Sequence, residues 1–295
     1  MCIRDSFEGE ATEIYTSYGL AENGVPYLSV WKQYQEEKTF LIIRYSNGSS
    51  TAFFISDKRG ENVSVYYPKE IAIRDIITYF TGPVIGCILR LKNKVCLHAS
   101  VVNIDNKAIA FIGEKTAGKS TLIAHLAASG YPVLSDDIAV LFPKEGAYFV
   151  HTGYPRLRLW ENTVNNLEGV QTADLEPVLS FVKKYYLPLS TEKVSQWKFQ
   201  QTPLPLEAVF YLMPRNEENQ CAVKALGALE RFLKLKQNIY ADYMLEEEMQ
   251  KIEFEVLGAF VNDKSVYAID RPDDLSSLDR VSELIVTLAS ADKLR

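Results

Sequence analysis

Five apolar residues, Ala108-Ile109-Ala110-Phe111-Ile112, run directly into Gly113-Glu114-Lys115-Thr116-Ala117-Gly118-Lys119-Ser120-Thr121. The apolar run reads as a strand buried on both faces. Leu122, Ile123, Leu126 and Ala127 recur at the spacing of one helix face immediately afterwards. A G-x-x-x-x-G-K-S turn between such a strand and such a helix is a phosphate-binding loop. Its glycines let the backbone close around phosphate oxygens. The N–H groups of the loop and of the helix N-terminus point at the anion, and the helix dipole favours negative charge there. In this arrangement Lys119 is expected at the β- and γ-phosphates, Ser120 on Mg²⁺ through its hydroxyl, and Thr121 at the α-phosphate. The alternative is a glycine-rich strand-to-helix turn that binds nothing, and the flanking strand and helix weigh against it.

The chain around this loop has 295 residues, 47% of them hydrophobic. That suffices for one large domain or two smaller ones. A net charge of −6 leaves no broad basic surface, so nucleic acid is not an expected partner. Cys2, Cys87, Cys96 and Cys221 match neither a zinc spacing nor a disulfide framework, which fits a reducing, cytoplasmic setting. The most apolar stretch, Ile76 to Leu91, is interrupted by Thr78, Thr81, Gly82, Pro83, Gly86 and Arg90, and is too short to span a bilayer. No membrane association is expected. The opening Met1-Cys2-Ile3-Arg4-Asp5-Ser6 resembles a translated sequencing adapter rather than part of the fold.

Residues 10–68 read as short antiparallel strands, with Asn47-Gly48 as a hairpin turn. Residues 69–92 read as one helix interrupted at Gly82-Pro83, or as two. Val95 to Val102 reads as one strand carrying His98, next to the loop strand. Tyr131 to Leu134 is a further strand beside it, ending in Ser135-Asp136-Asp137. Beyond it, helices are expected at Asp174–Val182, Leu226–Leu235, Tyr240–Leu257 and Asp279–Ala289, and strands at Ala208–Met213 and Ser265–Ile269. Two domains follow: a β-rich lobe with a linker helix over residues 7–92, and a nucleotide-binding α/β domain over 93–295.

Asp136-Asp137 is the second chemical signal. Carboxylates at the carboxyl end of a strand lie where open α/β sheets bind ligands. One can hold Mg²⁺ and the other can take a proton from an attacking hydroxyl; a solvated turn is the competing reading. His98, in an apolar strand, reads either as a packed core histidine or as a site residue. Arg156 and Arg158 alternate with Leu157 and Leu159, so they share a strand face and could neutralise a transferring phosphoryl group or grip an acidic substrate; an exposed polar strand face is the competing reading. Lys183-Lys184 reads as solvated charge, and His125 and His151 as surface or packing residues.

Leu97-His98-Ala99-Ser100, the loop, and Leu134-Ser135-Asp136-Asp137 together resemble the catalytic domain of HPr serine kinase/phosphorylase, over about residues 95–142. The resemblance implies the phosphate-loop fold of HPr-kinase/PEP-carboxykinase-like proteins. The wider group has a β-rich N-terminal lobe and a stretch similar to Gly153-Tyr154-Pro155-Arg156-Leu157-Arg158-Leu159-Trp160. Within it, lasso-peptide precursor kinases, which phosphorylate a ribosomal peptide on serine, look similar over the full length. By resemblance, Gly113 to Ser120 bind ATP, Ser120 and Asp136 serve Mg²⁺, Asp137 is the general base and His98 is catalytic. Members of the HPr type form hexamers, so self-association is a further expectation.

Three features depart from the family. Thr116 replaces the middle glycine of its loop, which is tolerable if Thr116 keeps a negative φ. The Glu-x-x-Gly-Leu-Gly signature has no counterpart, so neither phosphorolysis nor HPr as substrate is implied. The N-terminal lobe does not resemble that of the HPr enzymes. The expectation is an ATP- and Mg²⁺-dependent kinase acting on a serine hydroxyl of a peptide or protein. Its rivals are an ATP-binding regulatory module that transfers nothing, and a small-molecule kinase.

Overall fold

A computed structural model of the chain describes residues 11–17, 24–35, 38–47, 50–192, 196–216, 220–244 and 246–290. The adapter-like opening and the turn residue Gly48 lie outside them. The chain divides into two compact units, one within residues 1–94 and 241–249, the other within 95–240 and 250–295.

The first unit holds an antiparallel meander of β1 (Ala11–Thr16), β2 (Leu28–Gln35), β3 (Lys38–Asn47), β4 (Ser50–Asp57) and β5 (Val63–Tyr66), paired in that order. Alternation sets its buried face: Ala52, Phe54 and Ser56 of β4 are buried while their neighbours are not. Helices α1 (Ile73–Tyr79) and α2 (Ile85–Leu91) follow. The expected interruption at Gly82-Pro83 is a kink within the helical stretch Phe80–Val84, where Gly82 leaves helical geometry at φ −112° and ψ −110°. Pro83 has no N–H to continue the ladder, and the break at Gly82 accommodates it. Tyr79 of α1 stacks on Tyr45 of β3 with ring centroids 4.0 Å apart. The segment 241–249 completes this unit. Tyr243 stacks on Tyr15 at 4.0 Å, and the Met244 carbonyl accepts a 3.2 Å hydrogen bond from the buried Arg90 guanidinium.

The second unit is built on a nine-stranded sheet. Its strands are β6 (Val95–Leu97), β7 (Ser100–Ile104), β8 (Lys107–Ile112), β9 (Val133–Ser135), β10 (Ala139–Lys144), β11 (Ala147–Val150), β15 (Leu204–Leu212), β16 (Ala222–Ala225) and β17 (Ser265–Asp270). The order is β6-β10-β11-β15-β8-β7-β9, and β15 also pairs with β17, which carries β16. The loop strand β8 is parallel to β15. Ala108, Ala110 and Ile112 of β8 face one hydrophobic cluster, and Ile109 and Phe111 face the other. Both faces are therefore covered, which explains an unbroken apolar run. One cluster packs helix α3 (Lys119–Ala128), helix α7 (Leu278–Ser290) and strand β12 (Arg156–Trp160) against the sheet; the other packs α5 (Ala228–Gln237) and α6 (Glu247–Asp263). Strand β15 changes parity midway: Leu206 and Val209 share a face, and its register against β8 shifts between Leu206 and Ala208.

Four expectations are corrected. The single strand Val95–Val102 is bent into β6 and β7 at His98-Ala99. Strand β9 pairs with β7, so it lies one strand removed from the loop strand rather than beside it. The helix expected over Asp174–Val182 is a hairpin of β13 (Glu176–Leu179) and β14 (Val182–Pro188), with β12 on its other side. Pro177 disfavours a helix but is accommodated on the edge strand β13. The helix expected from Tyr240 begins at Glu247, because Ala241 takes φ 52° and the chain turns there. Helix α4 (Glu161–Val164) follows β12 directly.

Candidate active site

The site forms where two antiparallel stretches bend together. Leu97 faces Ala139 and Val101 faces Ser135, so one register carries through the bend. His98-Ala99 connects β6 to β7, and opposite it Asp136-Asp137-Ile138 connects β9 to β10. The short connectors lie outside the strand ladders, and His98, Asp136 and Asp137 of them line the cavity with the loop, while Ala99 stays in the core. Asp137 takes φ 82°. That conformation is uncommon outside glycine, though Asp tolerates it better than most residues.

Asp136 gathers three donors. Ser100 Oγ lies 2.7 Å and Ser120 Oγ 3.2 Å from its Oδ1, and the Arg158 backbone N–H donates to Oδ2 at 2.9 Å. Asp137 is held by two side chains: Arg158 Nη1 at 2.7 Å from Oδ2 and His98 Nδ1 at 3.2 Å from Oδ1. Burial pushes the Asp137 carboxyl up, but the charges led by Arg158, then His98, outweigh it and hold the carboxyl below the ordinary range. Burial also lowers His98, and the Asp137 charge only partly offsets this. A neutral imidazole then donates Nδ1–H to Asp137.

The loop is fixed from several sides. Gly118, at φ 92°, starts α3, and a Cβ there would stand 3.1 Å from Arg215 Nη2. At Gly113 a Cβ would meet the Leu212 carbonyl oxygen at 3.0 Å. Gly113 N–H donates to Asn238 Oδ1 at 3.0 Å, and Asn238 Nδ2 donates to the Lys234 carbonyl at 2.8 Å. Lys119 Nζ donates to the Gly113 and Glu114 carbonyls at 2.8 and 3.2 Å. Burial lowers its ammonium pKa. Thr116 has φ 69°, so the condition under which its replacement of a glycine is tolerable, a negative φ, is not met. It is β-branched, so the loop carries real strain at this point.

These groups line one cavity of about 1050 Å³. Loop residues Glu114, Lys115, Thr116, Ala117, Gly118, Lys119, Ser120 and Thr121 line it together with His98, Asp136, Asp137 and Arg158. Arg156 is directed elsewhere: its guanidinium stacks 3.9 Å from the Tyr186 ring centroid. The alternation that put both arginines on one strand face was sound, but Tyr186, directly across from Arg158 on β14, captures the first guanidinium. His125 meets Asp279 at 3.2 Å and His151 stacks on Phe142.

The sequence concealed several cavity residues. Lys184 is not simply solvated. It lines the cavity, burial lowers its pKa, and Asp136 and Asp137 pull the other way. Arg271 donates to the Ala117 and Met213 carbonyls, tying the loop to the end of β15. Burial and the neighbouring Arg215 push Arg271 down to about 10. Arg215 also lines the cavity and pairs with Asp273, so the two guanidiniums beside the loop are partly balanced by carboxylates. An Arg-Pro pair at the end of a strand was the only sequence hint.

Oxygen donors suit Mg²⁺, and Ser120 Oγ and Asp136 Oδ1 stand together. Among the described residues no three His, Cys, Asp or Glu side chains form a metal cage. Among the described residues no helix is long and apolar enough to cross a membrane.

No family model matches the chain, and no curated protein is similar to it. Among solved structures it is similar to the HPr(Ser) kinase/phosphatase from Coxiella burnetii. The identity is 14%, the coverage 68% of this chain and 96% of that chain, and the TM-score 0.35. At that score the two backbones diverge too far for the likeness to bear on the chemistry.

Proposed function

We propose that the chain is a phosphate-loop kinase that transfers the γ-phosphoryl group of ATP to a serine hydroxyl of a peptide or protein. The observation that carries this reading is one cavity in which loop residues Glu114–Thr121, the Ser120–Asp136 oxygen pair and the Asp137 carboxylate all meet. Its volume of about 1050 Å³ is at the upper end of ordinary ligand sites, about 300–1,000 Å³, which leaves room for an acceptor beside a triphosphate.

In this reading the loop N–H groups and Lys119 bind the phosphates, and Ser120 with Asp136 holds Mg²⁺. The ion, when bound, neutralises charge on the phosphate oxygens. Asp137 accepts the acceptor's hydroxyl proton as the oxygen bonds to the γ-phosphorus and the bond to the ADP oxygen breaks. A carboxylate held this low is a weak base. Phosphoryl transfer through a loose transition state needs the hydroxyl oriented more than it needs it deprotonated early. Arg158 and Lys184 place positive charge beside the reacting group.

The test is transfer from γ-labelled ATP to serine peptides, including any short precursor encoded beside the gene. Lys119→Ala is expected to lose nucleotide binding. Asp137→Asn is expected to keep it and to lose transfer by at least about 10²-fold. Full transfer by Asp137→Asn would sink the assignment. The 2.7 Å Arg158–Asp137 pair favours a second reading, a nucleotide-binding regulatory module in which Asp137 serves structure. ATP bound without label on any acceptor would select it.

A further inference from the structure

A second, smaller cavity of about 270 Å³ lies on the other side of helix α3's first turn. It is continuous in lining with the large cavity, because Thr121 and Thr163 belong to both. Three elements each supply two residues at one-turn spacing. Thr121 and His125 stand at i and i+4 on α3, Thr163 and Asn166 at i and i+3 around the end of α4, and Leu275 and Leu278 at i and i+3 at the start of α7. Leu167 adds to the apolar wall. Leu275 is 40% exposed, an apolar side chain presented to the opening.

We propose that this cavity receives the nucleobase of the nucleoside triphosphate whose phosphates occupy the loop. The inference rests on the phosphate-loop reading. Position along the loop gives the triphosphate a direction. Lys119 belongs to the β- and γ-phosphates and Thr121 to the α-phosphate, with Asp137 beyond the γ end. The nucleoside therefore leaves the loop past Thr121, and the small cavity opens there. Its volume is below the range for whole drug-sized ligands and suits a single heteroaromatic ring system. Its chemistry agrees. Leucines supply apolar walls for a planar base, and the polar edges are Asn166, His125, whose Nε2 meets Asp279, and Ser276, whose hydroxyl and N–H donate to Asp274. Asn166 Nδ2 is engaged with the Asn162 carbonyl at 2.7 Å, so the amide is oriented by its own loop. The Thr121 and Thr163 hydroxyls, 3.0 Å apart, belong to the lining of both cavities, and the sugar would lie against them.

The experiment is calorimetric titration of the full chain with ATP and, separately, with inorganic tripolyphosphate, both with Mg²⁺. Ser276→Trp fills the cavity and Leu275→Ala removes part of its wall; both positions are exposed, so neither substitution threatens folding. The unsubstituted chain is expected to bind ATP at least about tenfold tighter than tripolyphosphate. Each substitution is expected to weaken ATP by about tenfold and to leave tripolyphosphate within about twofold. Equal affinity for both ligands overturns the base site while the phosphate loop stands, as do substitutions that weaken both alike or neither. Binding of neither ligand to the unsubstituted chain overturns the loop reading, and the base site with it.

Discussion

Thr116 holds φ 69° in the centre of the loop, a conformation that costs a residue with a Cβ about 1–2 kcal/mol. Glycine escapes that cost and gives back about 0.5–1 kcal/mol in unfolded-chain entropy. Thr116→Gly is therefore expected to stabilise the fold by up to about 1 kcal/mol, read as a melting-temperature rise of a few degrees. A lower melting temperature would show that the Thr116 side chain contributes more than the strain removes. At Asp137 the sign is set by charge. Its folded-state pKa is below the ordinary 3.8, so its pairing stabilises the fold above about pH 4 and is lost as pH falls through the folded value. Removing the guanidinium in Arg158→Gln leaves burial to dominate. The carboxyl then rises, and the acid-unfolding midpoint is expected to move to higher pH. An unmoved midpoint would mean that His98 and the lysines suffice to hold the carboxylate.

Among the elements, the loop owes its shape to strands and helices far away in sequence. Asn238, just past α5, accepts from the Gly113 N–H and donates to its own helix. Asn238→Ala leaves a buried donor unsatisfied, a cost of about 1–3 kcal/mol. The expected readout is a melting temperature lower by several degrees together with weaker ATP binding; unchanged ATP affinity would confine Asn238 to stability. The same distance explains what sequence reasoning could and could not reach. The loop and the Asp136-Asp137 pair were legible because each is contiguous, and a strand-to-helix turn constrains its own backbone. Lys184, Arg271 and Asn238 carry no local mark, since strand pairing and helix packing alone bring the first to the cavity and the other two to the loop backbone. The bend at His98 was also hidden, because its flanks are equally apolar and only the ladder switch from β10 to β9 reveals it. Over Asp174–Val182, the hydrophobic residues fit a helical period as well as a strand period, and Pro177 was the signal that should have decided between them.

Across the whole molecule, the chain leaves the second unit after Tyr240, completes the first unit with residues 241–249, and returns. Met244 in that segment is 2% exposed, and its carbonyl meets Arg90. Replacing residues 241–249 by a Gly/Ser linker of equal length removes these partners. Amide exchange is then expected to lose protection in α2 of the first unit while β8 of the second keeps it. Equal protection in both would show that the first unit is complete without the segment.

This return of the chain also has a consequence for synthesis. A ribosome that has released residue 94 must translate roughly 150 more before Met249 emerges. At ~5–20 residues per second that is a delay of ~7–30 s. Throughout it the apolar sides of the first meander and its helices lack their last covering segment. Slow translation through the second unit would lengthen that exposure rather than help the first unit fold.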